Sequence, residues 1–144
     1  MKALREKLAA QLDRDEGYDR SAYQDSQGFW TIGRGHLVDK RKNAGLADAV
    51  IELQFELDVN EKLMGVLEEL PWAAQLDEAR LGALVNMAFQ LGVEGLLKFK
   101  NMLLHLQHKR YQEAFLEALD SDWHRQTPLR AERIAKQLQT GEWQ

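Results

Sequence analysis

The 144-residue sequence predicts a mostly helical α+β fold, and two observations support this. Apolar residues recur at the spacing of a helix through most of the chain. Residues 22–38 instead alternate around Ser26-Gln27-Gly28 and are rich in aromatic and β-branched side chains, which favours a β-hairpin. Because a small sheet is unusual on a helical chain, we expect the hairpin to belong to a separate N-terminal lobe.

Helical segments are predicted on both sides of the hairpin. Residues 3–15 read as an amphipathic helix with a leucine stripe, and Gly17 is a natural stop. A long helix follows from about 46 to 70 and is ended by Pro71. We expect this helix to lie between two lobes and to contact both, with an apolar face formed by Leu46, Val50, Leu53, Leu57, Met64 and Leu67 and thickened by Ile51, Phe55, Val59 and Leu63.

The C-terminal half of the chain is predicted to be helical throughout. Asp77 can cap a helix that runs to about Phe89 and that Gly92 ends. Thr127 followed by Pro128 is a strong helix start, and Gly141 is a good stop. Shorter helices are expected at 94–98, 100–108, 110–119 and 121–125.

Composition excludes several classes of protein. Hydrophobic residues make up 44% and charged residues 29% of the chain, as in ordinary soluble globular proteins. No apolar run approaches the ~18 residues of a membrane span, and the N-terminus lacks the apolar core of a signal peptide, so we expect a cytoplasmic origin without standard export. The absence of cysteine excludes a disulfide scaffold, a thiol nucleophile and thiolate metal sites.

Three residues around the hairpin are candidates for catalysis: Glu16, Asp25 and Thr31. Two carboxylates across a cleft can break a glycosidic bond, one as an acid and the other as a base or nucleophile. A separation of about 5–5.5 Å between the carboxyl groups would indicate a nucleophile, and about 6.5–9.5 Å would leave room for water. Spacing alone does not distinguish this pair from two solvated acids, and Thr31 alone is an ordinary strand residue.

The residues around these acids resemble the phage-type lysozymes, the T-even endolysin family (glycoside hydrolase family 24). The likeness begins with Asp15-Glu16-Gly17, Tyr23, Asp25 and the run from Gly28 to His36. It continues in the family's order through Asn86–Gly92, Trp123–Ile134 and Thr140–Trp143, so it spans most of the chain.

The resemblance implies a single two-lobed lysozyme-like domain over residues 1–144. Its N-terminal lobe would cover about 14–58 and carry the hairpin, and the bridging helix would cover about 46–70. The C-terminal helical lobe would cover about 71–144 and pack with helix 3–15.

The resemblance also assigns roles to single residues. Glu16 would be the general acid, and Asp25 with Thr31 would position the attacking water of an inverting reaction. Arg130 would lie close to Glu16, and His36 would pair with Asp58. The Gln90 side chain would hydrogen-bond the substrate, and Leu37 and Phe89 would supply apolar walls. Gln90 could equally be a helix residue with no role.

The expected activity is hydrolysis of the β-1,4 bond between N-acetylmuramic acid and N-acetylglucosamine in peptidoglycan, without cofactor or metal. We expect a monomer that binds glycan strands, stays in the host cytoplasm until released through a holin pore, and then acts on the wall. Trp123 is expected to pack in the C-terminal core. Three alternatives are open: an inactive module such as part of a tail assembly, a lytic transglycosylase, and a plain helical interaction protein.

Net charge is unevenly distributed along the chain. Residues 1–97 carry 11 Lys and Arg against 17 Asp and Glu, and residues 98–144 carry 8 against 6. Nucleic-acid binding requires a clear basic excess, so we predict no nucleic-acid partner. The acidic total also departs from the basic character of phage-type lysozymes, and the 38–45 connection is shorter than in better-known relatives, which could leave that end of the cleft more open.

Overall fold

The structure is a computed structural model that describes residues 7, 11–13, 18–33, 36–38 and 45–144. It divides into a first compact unit, Met1–Gln54, and a second, Phe55–Gln144. In the described residues a small antiparallel sheet precedes six α-helices, which confirms the predicted α+β, mostly helical class. Lys7 and residues 11–13 of the predicted N-terminal helix are helical. Glu16 lies outside the described residues.

The sheet has three strands, β1 (Asp19–Gln24), β2 (Trp30–Gly33) and β3 (His36–Leu37), in the order β1-β2-β3. The predicted alternation around residues 26–28 is confirmed, because β1 and β2 are antiparallel and joined by that turn. The two-residue β3 adds a short third strand antiparallel to β2. A strand of two residues is too short to leave its own alternating pattern.

The long helix α1 (Asp48–Glu69) agrees with the predicted span to within two residues. Pro71 ends it as expected and begins a 3-10 helix, Pro71–Gln75. Val66, on the stripe that also includes Phe55, Val59 and Leu63, is fully buried. The predicted face around Leu53, Leu57 and Met64 is wrong as a packing face, since these side chains are more than half exposed.

Helix α2 (Glu78–Leu96) begins at the predicted cap, where the backbone N–H of Arg80 donates to Asp77 Oδ1 at 2.9 Å. Its regular part ends at Gly92 as predicted, because this glycine breaks the helical geometry with a φ of 73°, as its conformational freedom allows. The chain then forms another turn to Leu96, where the sequence predicts a short helix over 94–98.

Four shorter helices complete the second unit: α3 (Lys100–Gln107), α4 (Tyr111–Leu119), α5 (Asp122–Gln126) and α6 (Pro128–Thr140). Each begins and ends within two residues of the predicted bounds. Thr127 precedes Pro128 as expected, but its hydroxyl donates to the Trp123 carbonyl at 3.1 Å instead of capping α6. Gly141 ends α6 in the left-handed region with a φ of 72°. The core of this unit is built on Val66, Leu84, Met87, Leu96, Met102, Leu106 and Leu138.

Candidate active site

The turn between β1 and β2 is organised by the side chain of Asp25. Its Oδ1 accepts hydrogen bonds from the backbone N–H groups of Gln27 and Phe29, both at 2.9 Å. Aspartate is favoured in turns because its carboxylate can satisfy backbone donors a few residues later. Within the described residues Oδ2 accepts no hydrogen bond, so one carboxylate oxygen holds the turn and the other is available.

Thr31 is tied to the same turn through one carbonyl group. The Phe29 carbonyl accepts from the Asp25 backbone N–H at 2.9 Å and from Thr31 Oγ1 at 3.5 Å. Thr31 is also buried, with 6% of its surface exposed, although it is polar. A hydroxyl can donate and accept at once, and the long bond to Phe29 leaves most of that capacity unused.

Leu37 and Tyr23 flank Thr31 in the sheet. In the strand register Thr31 lies opposite Tyr23 on β1 and opposite Leu37 on β3, so the three share one cross-strand row. The structure therefore brings together Asp25, Thr31 and Leu37, three of the residues that the sequence assigned to the site.

Two pairings expected from the sequence stay predictions. His36 lies on β3 opposite Ile32, and Asp58 lies on α1 in the second unit. The pairing of Arg130 with Glu16 involves a residue outside the described part of the chain.

In the second unit, Asn86 and the predicted substrate residues Phe89 and Gln90 lie three and four positions apart on α2, and so share one side of the helix. Gln90 Oε1 accepts a hydrogen bond from Trp123 Nε1 at 2.9 Å, which fixes the direction of its amide. Trp123 is buried and meets Phe99 edge to face, with ring centroids 5.8 Å apart, so its predicted core position is confirmed.

Arg130, on α6, is held by Asn86, which sequence reasoning did not single out. Nε and Nη2 of the guanidinium donate to Asn86 Oδ1 at 3.1 and 2.7 Å, and Nη2 also donates to the Asn86 carbonyl at 3.2 Å. The sequence did carry one signal for Asn86: it is a polar residue one turn before Gln90, on the same side of the helix.

A groove of about 550 Å³ in the second unit is lined by Asn86, Phe89 and Arg130. The rest of its lining is mostly apolar and comes largely from side chains of α1 and α2. Phe89 is 44% exposed, which suits its predicted role as an apolar wall. A second groove of about 600 Å³ is lined in part by Trp123, the hydrogen-bond partner of Gln90.

Among the described residues, no three His, Asp or Glu side chains are placed together so that they could hold a metal ion. Over the same residues, no helix combines the length and the apolar character needed to cross a membrane.

Comparison with known proteins identifies the family. The phage lysozyme family profile matches residues 13–139. A probable T4-type lysozyme of Dictyostelium discoideum is 31% identical over 157 residues, covering 90% of this chain and 92% of its own length.

Two phage proteins are also similar. The pre-baseplate central spike protein Gp5 of Enterobacteria phage T4 is 31% identical over 93% of this chain, which corresponds to 28% of that protein. The peptidoglycan hydrolase gp36 of Pseudomonas phage phiKMV is 30% identical over 89% of this chain and 14% of its own length. The chain therefore belongs to the phage lysozyme family, and it is a glycoside hydrolase of the lysozyme type.

Proposed function

We propose that the chain hydrolyses the β-1,4 bond between N-acetylmuramic acid and N-acetylglucosamine in peptidoglycan, with inversion at the anomeric carbon. In this proposal Glu16 is the general acid, and Asp25 acts with Thr31 to position the attacking water. The observation that carries it is that the two carboxylate oxygens of Asp25 are used differently. Oδ1 accepts hydrogen bonds from two backbone N–H groups, while Oδ2 accepts no hydrogen bond within the described residues.

The chemistry of a base-assisted water attack fits this turn. A base must point one oxygen at the water, and two amide bonds at 2.9 Å fix the direction of the Asp25 carboxylate. The water also needs a second polar partner, which the Thr31 hydroxyl can be. This hydroxyl donates to the Phe29 carbonyl, which also accepts from the Asp25 backbone N–H. The two groups together can orient a water for in-line attack opposite the departing sugar oxygen.

The second unit supplies groups suited to holding a sugar polymer. Phe89 offers an exposed ring, and the Gln90 amide is oriented by Trp123, so its NH₂ group can donate to a substrate oxygen. The relative in phage phiKMV is a peptidoglycan hydrolase by name, which supports peptidoglycan as the substrate of this chain as well.

The decisive experiment combines wall clearing with analysis of the released fragments. Wild-type protein should clear a suspension of purified peptidoglycan, and Glu16→Gln should not. Glu69→Gln, an exposed glutamate at the end of α1, is the matched control and should clear at the wild-type rate. Mass spectrometry should find reducing muramic acid ends, and NMR of the first product should find the anomer of opposite configuration.

Each alternative has its own result. Anhydro-muramyl ends would indicate a lytic transglycosylase and reject hydrolysis. A wild-type protein that clears no wall would indicate an inactive module. Retained configuration in the first product would reject the water-positioning role of Asp25 and favour a direct nucleophile.

A further inference from the structure

We propose that Tyr23 is a positioning residue, whose ring packs against Thr31 and holds the Thr31 hydroxyl towards the turn that carries Asp25. The inference rests on the proposed function, because it assigns a task within the same reaction. All three residues belong to the first unit and to the described part of the chain.

The strand register places the side chains of Tyr23 and Thr31 next to each other. The two residues are direct partners between the antiparallel strands β1 and β2. Side chains of direct partners leave a sheet on the same face, with Cβ atoms about 4.5–5.5 Å apart. A tyrosine ring is long enough to cover a threonine at that distance, so contact between the two side chains follows from the register.

Exposure along the strands points to the same pair. Tyr23 is half-buried while the other five residues of β1 are exposed, and Thr31 is the one buried residue of β2. Leu37, the partner of Thr31 on β3, is 41% exposed. Tyr23 is therefore the better covered of the two residues that flank Thr31, and the best-covered residues of β1 and β2 meet across the strands.

Thr31 needs a neighbour to fix its side chain, because its own hydrogen bond is weak. Oγ1 donates to the Phe29 carbonyl at 3.5 Å, whereas a good hydroxyl bond measures about 2.5–3.0 Å. The chain has two other threonines, and the hydroxyls of Thr127 and Thr140 donate over 3.1 and 3.0 Å. Threonine carries a methyl group and a hydroxyl on one carbon, so rotation about χ1 moves each group into a different direction. Packing must therefore decide where the Thr31 hydroxyl lies.

An aromatic ring beside Thr31 favours one of these arrangements. A hydroxyl turned against the ring would lose its hydrogen-bond partners, whereas the methyl group packs there without such a loss. With the methyl group on the ring, the hydroxyl turns along β2 towards Phe29, which is the direction it has in the structure. Phe29 is bonded to Asp25 through both its N–H and its carbonyl, so the hydroxyl is kept on the side of the catalytic turn.

The first test observes the Thr31 side chain directly by NMR. With three threonines in the chain, the threonine methyl spectrum has three signals, and Thr31→Val identifies the one that belongs to Thr31. Three-bond couplings between the methyl carbon and the backbone report χ1. We expect a single rotamer in the wild type and in Tyr23→Phe, and averaged rotamers in Tyr23→Leu. Thr127 and Thr140 should be unchanged in every protein.

The second test measures kcat and KM on solubilised peptidoglycan. Tyr23→Leu should lower kcat about tenfold with little change in KM, the scale of a misplaced group at a reacting site. Tyr23→Phe keeps the ring and should keep the wild-type kcat. Adding Tyr23→Leu to Thr31→Val should cost nothing further, since no hydroxyl is left to be held. Tyr23→Met, a second variant without the ring, carries the same expectations if leucine unfolds the sheet.

The matched control is Trp30→Leu, which removes an aromatic ring from the same sheet. Trp30 pairs with Gln24, one position along from the pair of Tyr23 and Thr31, so its side chain leaves the opposite face. This variant should keep the wild-type kcat and the single Thr31 rotamer. Thermal unfolding of all variants shows whether a loss of rate merely follows a loss of stability.

Other results would overturn the proposal in distinguishable ways. A single Thr31 rotamer in folded Tyr23→Leu, additive losses in the double variant, or an equal loss in Trp30→Leu rejects the positioning role. Tyr23→Phe as slow as Tyr23→Leu rejects the ring in favour of the phenol hydroxyl. Thr31→Val with the wild-type kcat rejects the role of Thr31 on which the inference depends. A wild-type protein that releases no muropeptide rejects the proposed function and with it the task of Tyr23 in catalysis, while the NMR couplings still decide whether Tyr23 holds Thr31.

Discussion

At the scale of single residues, Asp25 combines a structural task with the proposed chemical one. Its Oδ1 closes the β-turn through two backbone N–H groups, and its backbone N–H donates to the Phe29 carbonyl. Loss of activity in an alanine variant would therefore be ambiguous, because the turn and the carboxylate disappear together. An asparagine variant separates them, since its side-chain oxygen can accept the same bonds.

We predict that Asp25→Asn folds with nearly wild-type stability but loses at least about 10²-fold of its wall-clearing rate, the scale of a lost general base. Asp25→Ala should lose as much activity and also about 1 kcal/mol of the free energy of unfolding, as expected for a lost turn acceptor. Clearing assays and urea unfolding measure the two effects. An Asp25→Asn protein with full activity would exclude Asp25 from the chemistry.

Thr31 gives a second residue-scale prediction. Thr31→Val keeps the buried, β-branched shape and removes the hydroxyl, whose hydrogen bond to Phe29 is long at 3.5 Å. We expect the clearing rate to fall about 10²-fold with little change in stability, as when one positioning group is lost from a reacting site. Thr31→Ser, which keeps the hydroxyl, should retain most activity. Equal rates in wild type and both variants would show that Thr31 is an ordinary strand residue without a role in the reaction.

The residues of the site were predictable to different degrees. Asp25 and Thr31 stood out because a carboxylate and a hydroxyl suited to the reaction coincide with a family motif within seven residues of the chain. Asn86 was missed because its partner, Arg130, is 44 residues away and only packing of α2 with α6 brings them together. Its polar side chain looks like ordinary surface in the sequence, and only the structure shows its hydrogen bonds with Arg130.

At the scale of elements, Arg80 joins the beginning of α2 to the end of α6. Its Nε and Nη2 donate to the carbonyls of Leu138 and Gln139, each at 2.8 Å, in the last turn of α6, where carbonyls lack helical partners. Nη1 pairs with Asp77 Oδ2 at 2.6 Å, and the guanidinium lies 3.5 Å from the Tyr111 ring centroid. One side chain thus connects three helices.

Asp77 makes this junction sensitive to acid. Burial raises the pKa of Asp77, but hydrogen bonds from the Arg80 backbone and side chain outweigh it, so the pKa lies below its ordinary value. A carboxylate with a lowered pKa stabilises the fold above its unfolded pKa, and the contribution is lost as pH falls through the folded pKa.

We therefore predict that Asp77→Asn, which keeps a good helix cap, lowers the free energy of unfolding by only about 0.5 kcal/mol at pH 7, because the pair is partly exposed. The difference should shrink below about pH 4 and vanish in stronger acid. Urea unfolding at several pH values measures it. A constant difference between pH 7 and pH 2 would contradict the charge argument.

Gly141 supplies the second element-scale prediction. It ends α6 with a φ of 72°, and a Cβ at this position would meet the Arg80 guanidinium. We expect Gly141→Ala to lower the free energy of unfolding by about 1–2 kcal/mol, the cost of left-handed backbone for an L-residue. Gly141→Asn tolerates that backbone and should recover part of the loss, leaving the contact with Arg80. An alanine variant as stable as wild type would contradict both arguments.

Element boundaries were predictable where capping chemistry is local, as at Asp77, Pro71 and Gly141. The packing face of α1 was not. Its sequence contains two apolar stripes on opposite sides, one with Val59, Leu63 and Val66 and the other with Leu53, Leu57 and Met64. Helical periodicity cannot decide which stripe is covered, because that depends on the neighbouring helices. In the structure only the first includes a fully buried residue.

At the scale of the whole molecule, we expect the acidic charge to affect how the protein approaches an anionic wall. The net charge is −4, and the negative excess lies in residues 1–97. Bacterial walls that carry anionic polymers should repel such a protein at long range. Repulsion between exposed charges extends about 30 Å at 0.01 M salt but only about 8 Å at 0.15 M.

We predict that raising the salt concentration from 0.01 to 0.15 M increases the rate at which this protein clears walls rich in anionic polymer. A basic wall-binding enzyme would show the opposite trend, because screening weakens its attraction. Walls stripped of anionic polymer are the control, and on them the rate should change little over the same range. A rate that falls with salt on intact walls would mean that the basic residues 98–144, with a local net charge of +2, dominate the encounter instead of the molecule's total charge.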